Sequence, residues 1–229
     1  MSASPSTHLI AEDLLLLLLD DRKGTSSSAY TRTALGGAVL VELALLEAVT
    51  VEEKTKAWRS AKVYAGAGPA GLDPVLERAR GTIAEKQRSA TDLVDRLGKG
   101  LDDVLAERLA EKGILERREG RILGLFPSTR WPARDSAHEE AVRRSLTAAL
   151  VEGAEPDART AALVALLHAI GRAHKTVPHE GLPRSEVRKR AKRIAEGDWA
   201  AKAVKDAIEA STAAVAAVVA GAAAAGSSG

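Results

Sequence analysis

The stretch EKGILERREGRILGLF, residues 111–126, is the most informative part of this chain. Glu111-Lys112-Gly113 is typical of a helix C-terminus with a glycine cap, and Glu119-Gly120 is predicted to turn a β-hairpin. Phe126, the only phenylalanine of the protein, follows. Because strand side chains alternate between two faces, the second strand is expected to carry large apolar groups on both. Ile122 and Phe126 are expected on one face. Leu123 and Leu125 are expected on the other face, together with Arg121.

A ribbon of this kind in an otherwise helical chain has two interpretations. In the structural one, a single face covers the helices, as in other half-buried ribbons. In the functional one, the apolar tip enters a membrane interface and basic residues meet anionic headgroups, each contributing about 1 kcal/mol. The residues predicted to make this contact are Arg117, Arg118, Arg121, Leu123, Leu125 and Phe126.

Arg130-Trp131-Pro132 follows the ribbon directly. An indole has one wet and one apolar edge, which suits the headgroup zone of a bilayer. The alternative is that Trp131 covers the core beneath the hairpin. Both interpretations of Trp131 stay open at the level of sequence.

The composition restricts the class of protein. Of 229 residues, 45% are hydrophobic but only 3% aromatic, so the core is aliphatic, which suits helix packing. The absence of cysteine excludes disulfides, thiolate metal sites and cysteine catalysis. A net charge of +2 excludes a globally basic nucleic-acid coat but allows a local basic patch.

The hydrophobic periodicity predicts eight or so helices and no alternating strand–helix units. The fold is therefore predicted to be mainly α, a single-domain multi-helix bundle with one projecting β-hairpin. Residues 1–8 are predicted to be a disordered N-terminus, 9–208 the helical domain and 209–229 an Ala-rich C-terminal helix or tail. Neither a secretory signal nor a run of the roughly 20 apolar residues that a span needs is found. The expected location is cytoplasmic.

Local signals predict where several helices begin and end. Ile10–Asp20 is an apolar helix, and its acid pairs Glu12-Asp13 and Asp20-Asp21 are interpreted as caps and solubilising ends. Residues 91–112 have leucines at helical spacing, with Gly98 and Gly100 predicted to divide them. The predicted N-caps are Asp73 before Pro74, Ser136 in a capping box with Glu139, Asp157, and Asp198.

Sequence motifs for catalysis are absent. There is no HExxH, GxSxG, P-loop or GxGxxG pattern, and no histidine has a carboxylate at metal-ligand spacing. We therefore expect neither enzymatic activity nor a cofactor or metal. One short helix is crowded with basic residues, which indicate either a solvated face or a phosphate-binding surface. They are Arg184, Arg188, Lys189, Arg190, Lys192 and Arg193.

Several segments, taken in order, resemble the Golgi phosphoprotein 3-like family. They are Glu12–Leu16 with Asp20 and Gly24, Leu35–Leu43, Leu109–Leu115 with the ribbon to Phe126, and Leu163–Ala169. Arg130-Trp131-Pro132 and Glu196-Gly197-Asp198-Trp199 resemble the bacterial branch. The resemblance implies a helical domain that binds phosphatidylinositol 4-phosphate at membranes, with a hairpin involved in membrane contact and self-association. Eukaryotic members also act as adaptors that retain glycosyltransferases.

The lipid site implied by the resemblance carries over only in part. The family's arginine on the central helix corresponds to Gly36, and its tryptophan falls in the Ser26–Ala29 loop. Two further family arginines correspond to Lys99 and Asp102, so one basic group of three remains. The residues assigned to headgroup binding are Arg32, Gly36, Lys99, Arg130, Trp131 and Arg134.

The leading hypothesis is a peripheral membrane protein that binds anionic phospholipid at the inner membrane face. One alternative is an adaptor that binds a client protein or forms a homo-oligomer through the hairpin edge. Another is a winged-helix-like nucleic-acid binder with its recognition helix in residues 91–112. The acidity of that segment argues against nucleic acid. Its acids are Asp92, Asp95, Asp102, Asp103 and Glu107.

Overall fold

The computed structural model describes residues 8–20, 24–26, 30–51, 62–122, 126–197 and 202–226. Within these ranges the chain is mainly α-helical, as predicted, with nine α-helices and five short strands. A π-helical segment, Ala148–Glu152, continues the sixth helix, and a 3-10 turn, Ala173–Lys175, follows the seventh. The helices are α1 (Ile10–Leu18), α2 (Thr31–Leu45), α3 (Pro74–Glu85), α4 (Ala90–Gly98), α5 (Leu101–Glu111), α6 (Ala137–Thr147), α7 (Ala158–Ala169), α8 (Arg184–Ala195) and α9 (Lys202–Gly226). The strands are β1 (Val49–Val51), β2 (Lys62–Ala65), β3 (Arg88–Ser89), β4 (Arg118–Ile122) and β5 (Phe126–Arg130).

The centre of the fold is α2, which packs against α1, α4, α7 and α9. Residues 33–44 of α2 are buried on every side, so this helix has no solvated stripe. The leucine run of α1 is likewise buried. The aliphatic core expected from the composition is therefore built by helix-on-helix packing.

Two glycines let α2 and α4 approach backbone to backbone. A Cβ built on Gly36 would lie 1.9 Å from the Val94 carbonyl oxygen, and one built on Gly98 would lie 1.9 Å from the Arg32 carbonyl oxygen. Only a residue without a side chain fits at such contacts. Gly36 is thus a packing residue of the α2–α4 crossing.

The last helix continues the domain. Ala210, Ala214 and Val215 of α9 are buried, and α9 packs on α2 and α4. The predicted boundary between residues 208 and 209 therefore falls inside one helix. In the described part of the chain, no helix is both long enough and apolar enough to cross a bilayer.

A small antiparallel sheet of order β1-β2-β3 was not predicted as a sheet. Val51 pairs with Val63, and Lys62 with Ser89. The sequence indicated only strand or loop pieces between residues 49 and 64, because the third strand is two residues long and comes from a distant segment. Trp58 lies outside the described residues.

The hairpin exists, but its predicted turn is wrong. Glu119 and Gly120 lie inside β4, where they pair with Thr129 and Ser128 of β5. Beyond the paired ends of β4 and β5, Leu115 and Ala133 form an isolated β-bridge in the same register. This pairing is symmetric about residue 124. Residues 123–125, between the two strands, lie outside the described residues.

Two of the predicted helix caps are confirmed and one is wrong. Asp73 accepts a hydrogen bond from the Val75 N–H at 2.8 Å, and Asp157 accepts one from the Thr160 N–H at 2.7 Å. Ser136 does not cap α6, because its hydroxyl donates to Glu140 and Asp135 accepts the Ala137 N–H instead. The fourth predicted cap, Asp198, lies outside the described residues.

Candidate functional site

A pocket of about 140 Å³ opens between α3, α4 and α5. The deeper part of its lining is apolar and comes from Val39, Val75, Ala79 and Leu101, which are all buried. The exposed part is cationic and consists of Arg78, Arg96 and Lys99. We call this site the basic pocket.

The basic pocket has an unbalanced positive charge. None of the residues that line it is acidic. Within the described residues, Arg78 and Lys99 have no carboxylate partner, whereas Arg96 donates to Asp92 at 3.1 Å on an exposed surface. Charge-assisted hydrogen bonds from such groups are the usual means of holding a phosphate. The pocket can therefore hold an anion.

The break between α4 and α5 places Lys99 at this site. Gly100 has a positive φ of 69°, which glycine adopts at little cost, and it separates the two helices directly after Lys99. The division at Gly98 and Gly100 predicted from the sequence is confirmed. Because of this division, residues 90–111 do not form one continuous helix, and Lys99 lies at the break between α4 and α5.

Of the predicted headgroup residues, the basic pocket includes only Lys99. Gly36 is closed off by the Val94 carbonyl, so no side chain has room at this position. Arg32 is exposed, and its guanidinium donates to the Asp95 carboxylate at 2.9 Å and to the Asp95 carbonyl at 3.2 Å. Gly36 and Arg32 therefore both contact α4, and neither of them lines the basic pocket.

Trp131 lies in the core and not at the surface. Only 7% of it is exposed, and its backbone N–H donates to the Gly24 carbonyl at 2.8 Å. The guanidinium of Arg117 lies over the indole at 5.9 Å. This burial contradicts an interfacial position and confirms that Trp131 covers the core.

Arg130 and Arg134 flank the base of the hairpin. Both are exposed, and neither has an ion-pair partner in the described part of the chain. The backbone N–H of Arg134 donates to the Ile114 carbonyl, which fixes the chain at the hairpin base. These two arginines therefore form a basic surface apart from the basic pocket.

The cations of the hairpin stem are largely paired with acids. Arg117 lies 3.2 Å from Glu107 and 3.0 Å from Glu119, and Arg118 lies 2.8 Å from Glu116. These pairs are half exposed and of little strength. For Arg121 and Phe126 the strand positions are described but the side chains are not, and Leu123 and Leu125 lie outside the described residues. Membrane contact by the hairpin stays a prediction.

The sequence-based interpretation missed a buried ionic cluster at the start of α1. Glu12 is fully buried, and its carboxylate accepts hydrogen bonds from the Leu9 N–H at 2.8 Å, Arg108 Nε at 3.1 Å and Lys112 Nζ at 2.9 Å. Asp13 is equally buried. We call this group the α1 ionic cluster; it comprises Glu12, Asp13, Glu42, Arg108, Lys112, Arg159 and His138.

The second half of the cluster joins α1 to α2, α6 and α7. Asp13 accepts hydrogen bonds from Arg159 at 2.7 Å, and its other oxygen lies 2.7 Å from His138 Nε2. Glu42 accepts the Ile10 N–H at 2.8 Å and lies 3.4 Å from Arg159. Burial raises the pKa of Glu42 to about 7, although Arg159 and the Ile10 N–H oppose this shift.

The interpretation of Glu12-Asp13 as a cap is confirmed for Glu12, which accepts the Leu9 N–H, but the interpretation as a solubilising end is wrong. The available signal was the acid pair inside an apolar run, because a buried carboxylate requires a partner. His8, assigned to the disordered segment, belongs to the same region: its ring stacks on His138 at 3.9 Å and its carbonyl accepts from Arg159 at 2.6 Å. Within the described residues, no group of histidines and acids has the arrangement of a metal site.

Fold and site together define a mainly α-helical domain with a small ribbon, an internally satisfied ionic core and a cationic pocket at its surface. The family model of Golgi phosphoprotein 3 (GPP34) matches residues 10–211, and the chain belongs to this family. The resemblance seen in the sequence is thereby confirmed at the level of the family, and the bacterial branch stays a prediction. None of the curated proteins matches the chain significantly.

Proposed function

We propose that this protein binds anionic phospholipid at a membrane surface, with a headgroup phosphate held in the basic pocket. The observation that carries the proposal is a pocket lined by three cations and, among the described residues, by no acid. The family resemblance points to phosphatidylinositol 4-phosphate as the ligand. No catalytic step and no cofactor are part of this proposal.

The pocket is chemically suited to a phosphate at the end of a lipid. Its apolar lining lowers the local dielectric constant, which strengthens the attraction between the cations and a dianionic phosphate. Arg78 can donate a planar pair of hydrogen bonds, while Lys99 acts as a mobile point charge. Each basic group near an anionic surface contributes about 1 kcal/mol. Binding through this pocket is therefore expected to be weak and reversible.

A second contact is proposed at the hairpin. Arg130 and Arg134 are exposed at the base of the ribbon whose predicted membrane residues are Leu123, Leu125 and Phe126. Weak sites become effective when two of them engage one surface. We place the protein in the cytoplasm, at the inner membrane face, where anionic lipids are concentrated.

Sedimentation with three kinds of vesicle tests the proposal: neutral, phosphatidylserine-containing and phosphatidylinositol 4-phosphate-containing. The variant Arg78→Gln/Lys99→Gln is expected to bind the phosphoinositide vesicles about 30-fold more weakly, since two cations are removed. The matched control is Lys86→Gln/Arg144→Gln, which removes two exposed cations that line no part of the pocket. Equal recovery with all three vesicles, or equal losses in both variants, would contradict the proposal.

Nucleic acid is the less favoured partner. As the helix before the ribbon, α5 occupies the place of a recognition helix, but it exposes Asp102, Asp103 and Glu107. A phosphate backbone would be repelled by this face. Client binding and self-association through the hairpin edge stay predictions of the sequence.

A further inference from the structure

Two helices of the protein carry exposed charge stripes of opposite sign. On α8, Arg184, Arg188 and Lys192 recur every four residues and are all exposed. On α5, the residues at the same spacing are Asp103, Glu107 and Glu111, also exposed. At 1.5 Å per residue, each stripe is about 12 Å long with one charge per turn. We call them the α8 stripe and the α5 stripe.

The α8 stripe is poorly neutralised within its own chain. Of its three cations, Lys192 has one carboxylate partner, Glu196, at 3.8 Å, beyond hydrogen-bonding distance, and Arg188 has none among the described residues. Arg184 has no ion-pair partner among the described residues. Burial lowers the pKa of His174 beside α8, and the charges of Arg188, Lys175 and Arg184 lower it further. The charges of Arg184, Arg188 and Lys175 therefore add up on the side of α8 that faces His174.

The α5 stripe carries an excess of negative charge. Burial raises the pKa of Asp103, and the neighbouring charges of Asp102 and Glu107 raise it further. Glu107 has one partner, Arg117 at 3.2 Å, on a half-exposed surface. Asp103 and Glu111 have no ion-pair partner in the part of the chain that the structure describes. The acids of α5 thus repel one another, and Arg117 compensates their charge only in part.

The two stripes face different neighbours. α8 packs on α7, the π-helical segment and the 3-10 turn, whereas α5 packs on α1, α2 and α4. A contact between the stripes therefore requires two molecules. We propose that the α8 stripe of one copy docks beside the α5 stripe of a second copy of this chain.

The helices in this contact run antiparallel. The N-terminus of α8 carries a partial positive charge and lies next to Arg184, while the C-terminus of α5 carries a partial negative charge and lies next to Glu111. An antiparallel arrangement brings these ends together and matches the stripes charge for charge. A two-fold dimer would use both stripes of each copy at once, whereas a head-to-tail contact uses one stripe of each copy and extends to more than two copies.

Such an interface rests on exposed charge, so it is weak and depends strongly on salt. In sedimentation velocity at an ionic strength of about 0.02 M, where charges act over about 20 Å, the mass is expected to rise with concentration beyond the 24.0 kDa of one chain. At about 0.5 M salt the association constant is expected to fall at least about tenfold. A wild-type protein that stays at 24.0 kDa at low salt overturns the proposal.

Charge reversal separates this interface from one formed by the hairpin. Arg188→Glu/Lys192→Glu and Asp103→Lys/Glu111→Lys are each expected to be monomeric. An equimolar mixture of the two is expected to associate again, because the unchanged α8 stripe of the second variant meets the unchanged α5 stripe of the first. The control Lys86→Glu/Arg144→Glu makes the same change in net charge as Arg188→Glu/Lys192→Glu and is expected to associate as the wild type does. Circular dichroism on each variant checks that its helical content is unchanged.

The remaining outcomes of these experiments either overturn the proposal or assign the α8 stripe to another partner. Association that survives either reversal, or that the control abolishes equally, places the contact elsewhere and overturns the proposal. A mixture that stays monomeric also overturns it. A monomeric wild type that sediments with anionic vesicles through Arg188 and Lys192 assigns α8 to a membrane instead.

Discussion

The α1 ionic cluster and the basic pocket both contain arginine and lysine side chains, but only those of the cluster are paired with buried carboxylates. In the cluster, the carboxylates of Glu12 and Asp13 are buried and each accepts two or more close contacts from cations, histidine or backbone N–H groups. In the pocket, Arg78 and Lys99 are exposed and have no carboxylate partner among the described residues.

The difference separates charges that specify the fold from charges that are available to a ligand. A buried charge that loses its partner is strongly destabilising, so the cluster fixes how α1, α2, α5, α6 and α7 meet. An exposed cation lacks such a constraint and can be removed with little effect on stability. Stability measurements should therefore respond to the cluster, and binding measurements to the pocket.

The largest effect is expected from Arg159→Met. This substitution leaves Asp13 and Glu42 buried without their cation, and we expect the free energy of unfolding to fall by about 3–5 kcal/mol. Arg32→Met is the matched control, because the pair of Arg32 with Asp95 is half exposed and such pairs contribute about 0–1 kcal/mol. Urea denaturation measures both, and comparable losses would show that the cluster does not hold the helices together.

Gly36→Ala tests whether the lost family arginine is a packing constraint. Its Cβ would lie 1.9 Å from the Val94 carbonyl oxygen, and overpacking of this kind costs about 1–3 kcal/mol. Gly81→Ala in α3 is the control, since nothing lies within 4 Å of its Cβ, and it should stabilise by about 0.5–1 kcal/mol. A neutral result for Gly36→Ala in thermal unfolding would reopen this position to a ligand.

The pH dependence of stability tests the burial of Glu42. Its pKa is raised in the folded protein from 4.5 to about 7, so across this window the folded state keeps a proton that the unfolded state has lost. Stability therefore falls as the pH rises from about 4.5 to 7, with a slope of up to about 1.4 kcal/mol per pH unit. Glu42→Gln should remove this component, and denaturation curves measured at intervals of pH should diverge accordingly. Parallel pH profiles of the two proteins would mean that Glu42 is not held in its protonated form.

The smallest effect is expected in the pocket. By the sequence resemblance, Asp102 corresponds to a family arginine; it is exposed and is next in sequence to Leu101, which lines the pocket. Asp102→Arg is expected to tighten binding to phosphoinositide vesicles about fivefold or more, from the added basic group, while unfolding changes by less than about 0.5 kcal/mol. Glu152→Arg makes the same change in charge at an exposed position on the π-helical segment. If both variants bind equally more tightly, the gain comes from net charge and not from the site.

Local patterns predicted those parts of the fold that neighbouring residues decide. The caps at Asp73 and Asp157 each depend on a hydrogen bond spanning two or three residues, and the break at Gly100 depends on one backbone angle. The hairpin was also predicted, but its turn was misplaced by about four residues, because the register is set by the Leu115–Ala133 pairing at its base. A turn signal in the sequence is weaker than such pairing.

The candidate site was predicted only in part, because it depends on contacts between residues that are distant in the sequence. Lys99 was found through the resemblance, whereas Arg78 and Arg96 had no signal, since their place beside Lys99 depends on how α3 and α4 pack. Trp131 had two interpretations that only its burial separates. The acids Glu12 and Asp13 were recognised as a pair, but their partners are 96 to 146 positions away in the chain.

By itself, the sequence determined the mainly helical class, the aliphatic core, the existence of the ribbon and the family. All of these follow from periodicity, composition and short-range motifs, which are properties of neighbouring residues. The tertiary structure alone decided which charges are paired and which are left for a ligand. Pairing is a matter of distance between side chains on different helices, and the electrostatic energy of a charge depends on that distance and on its burial.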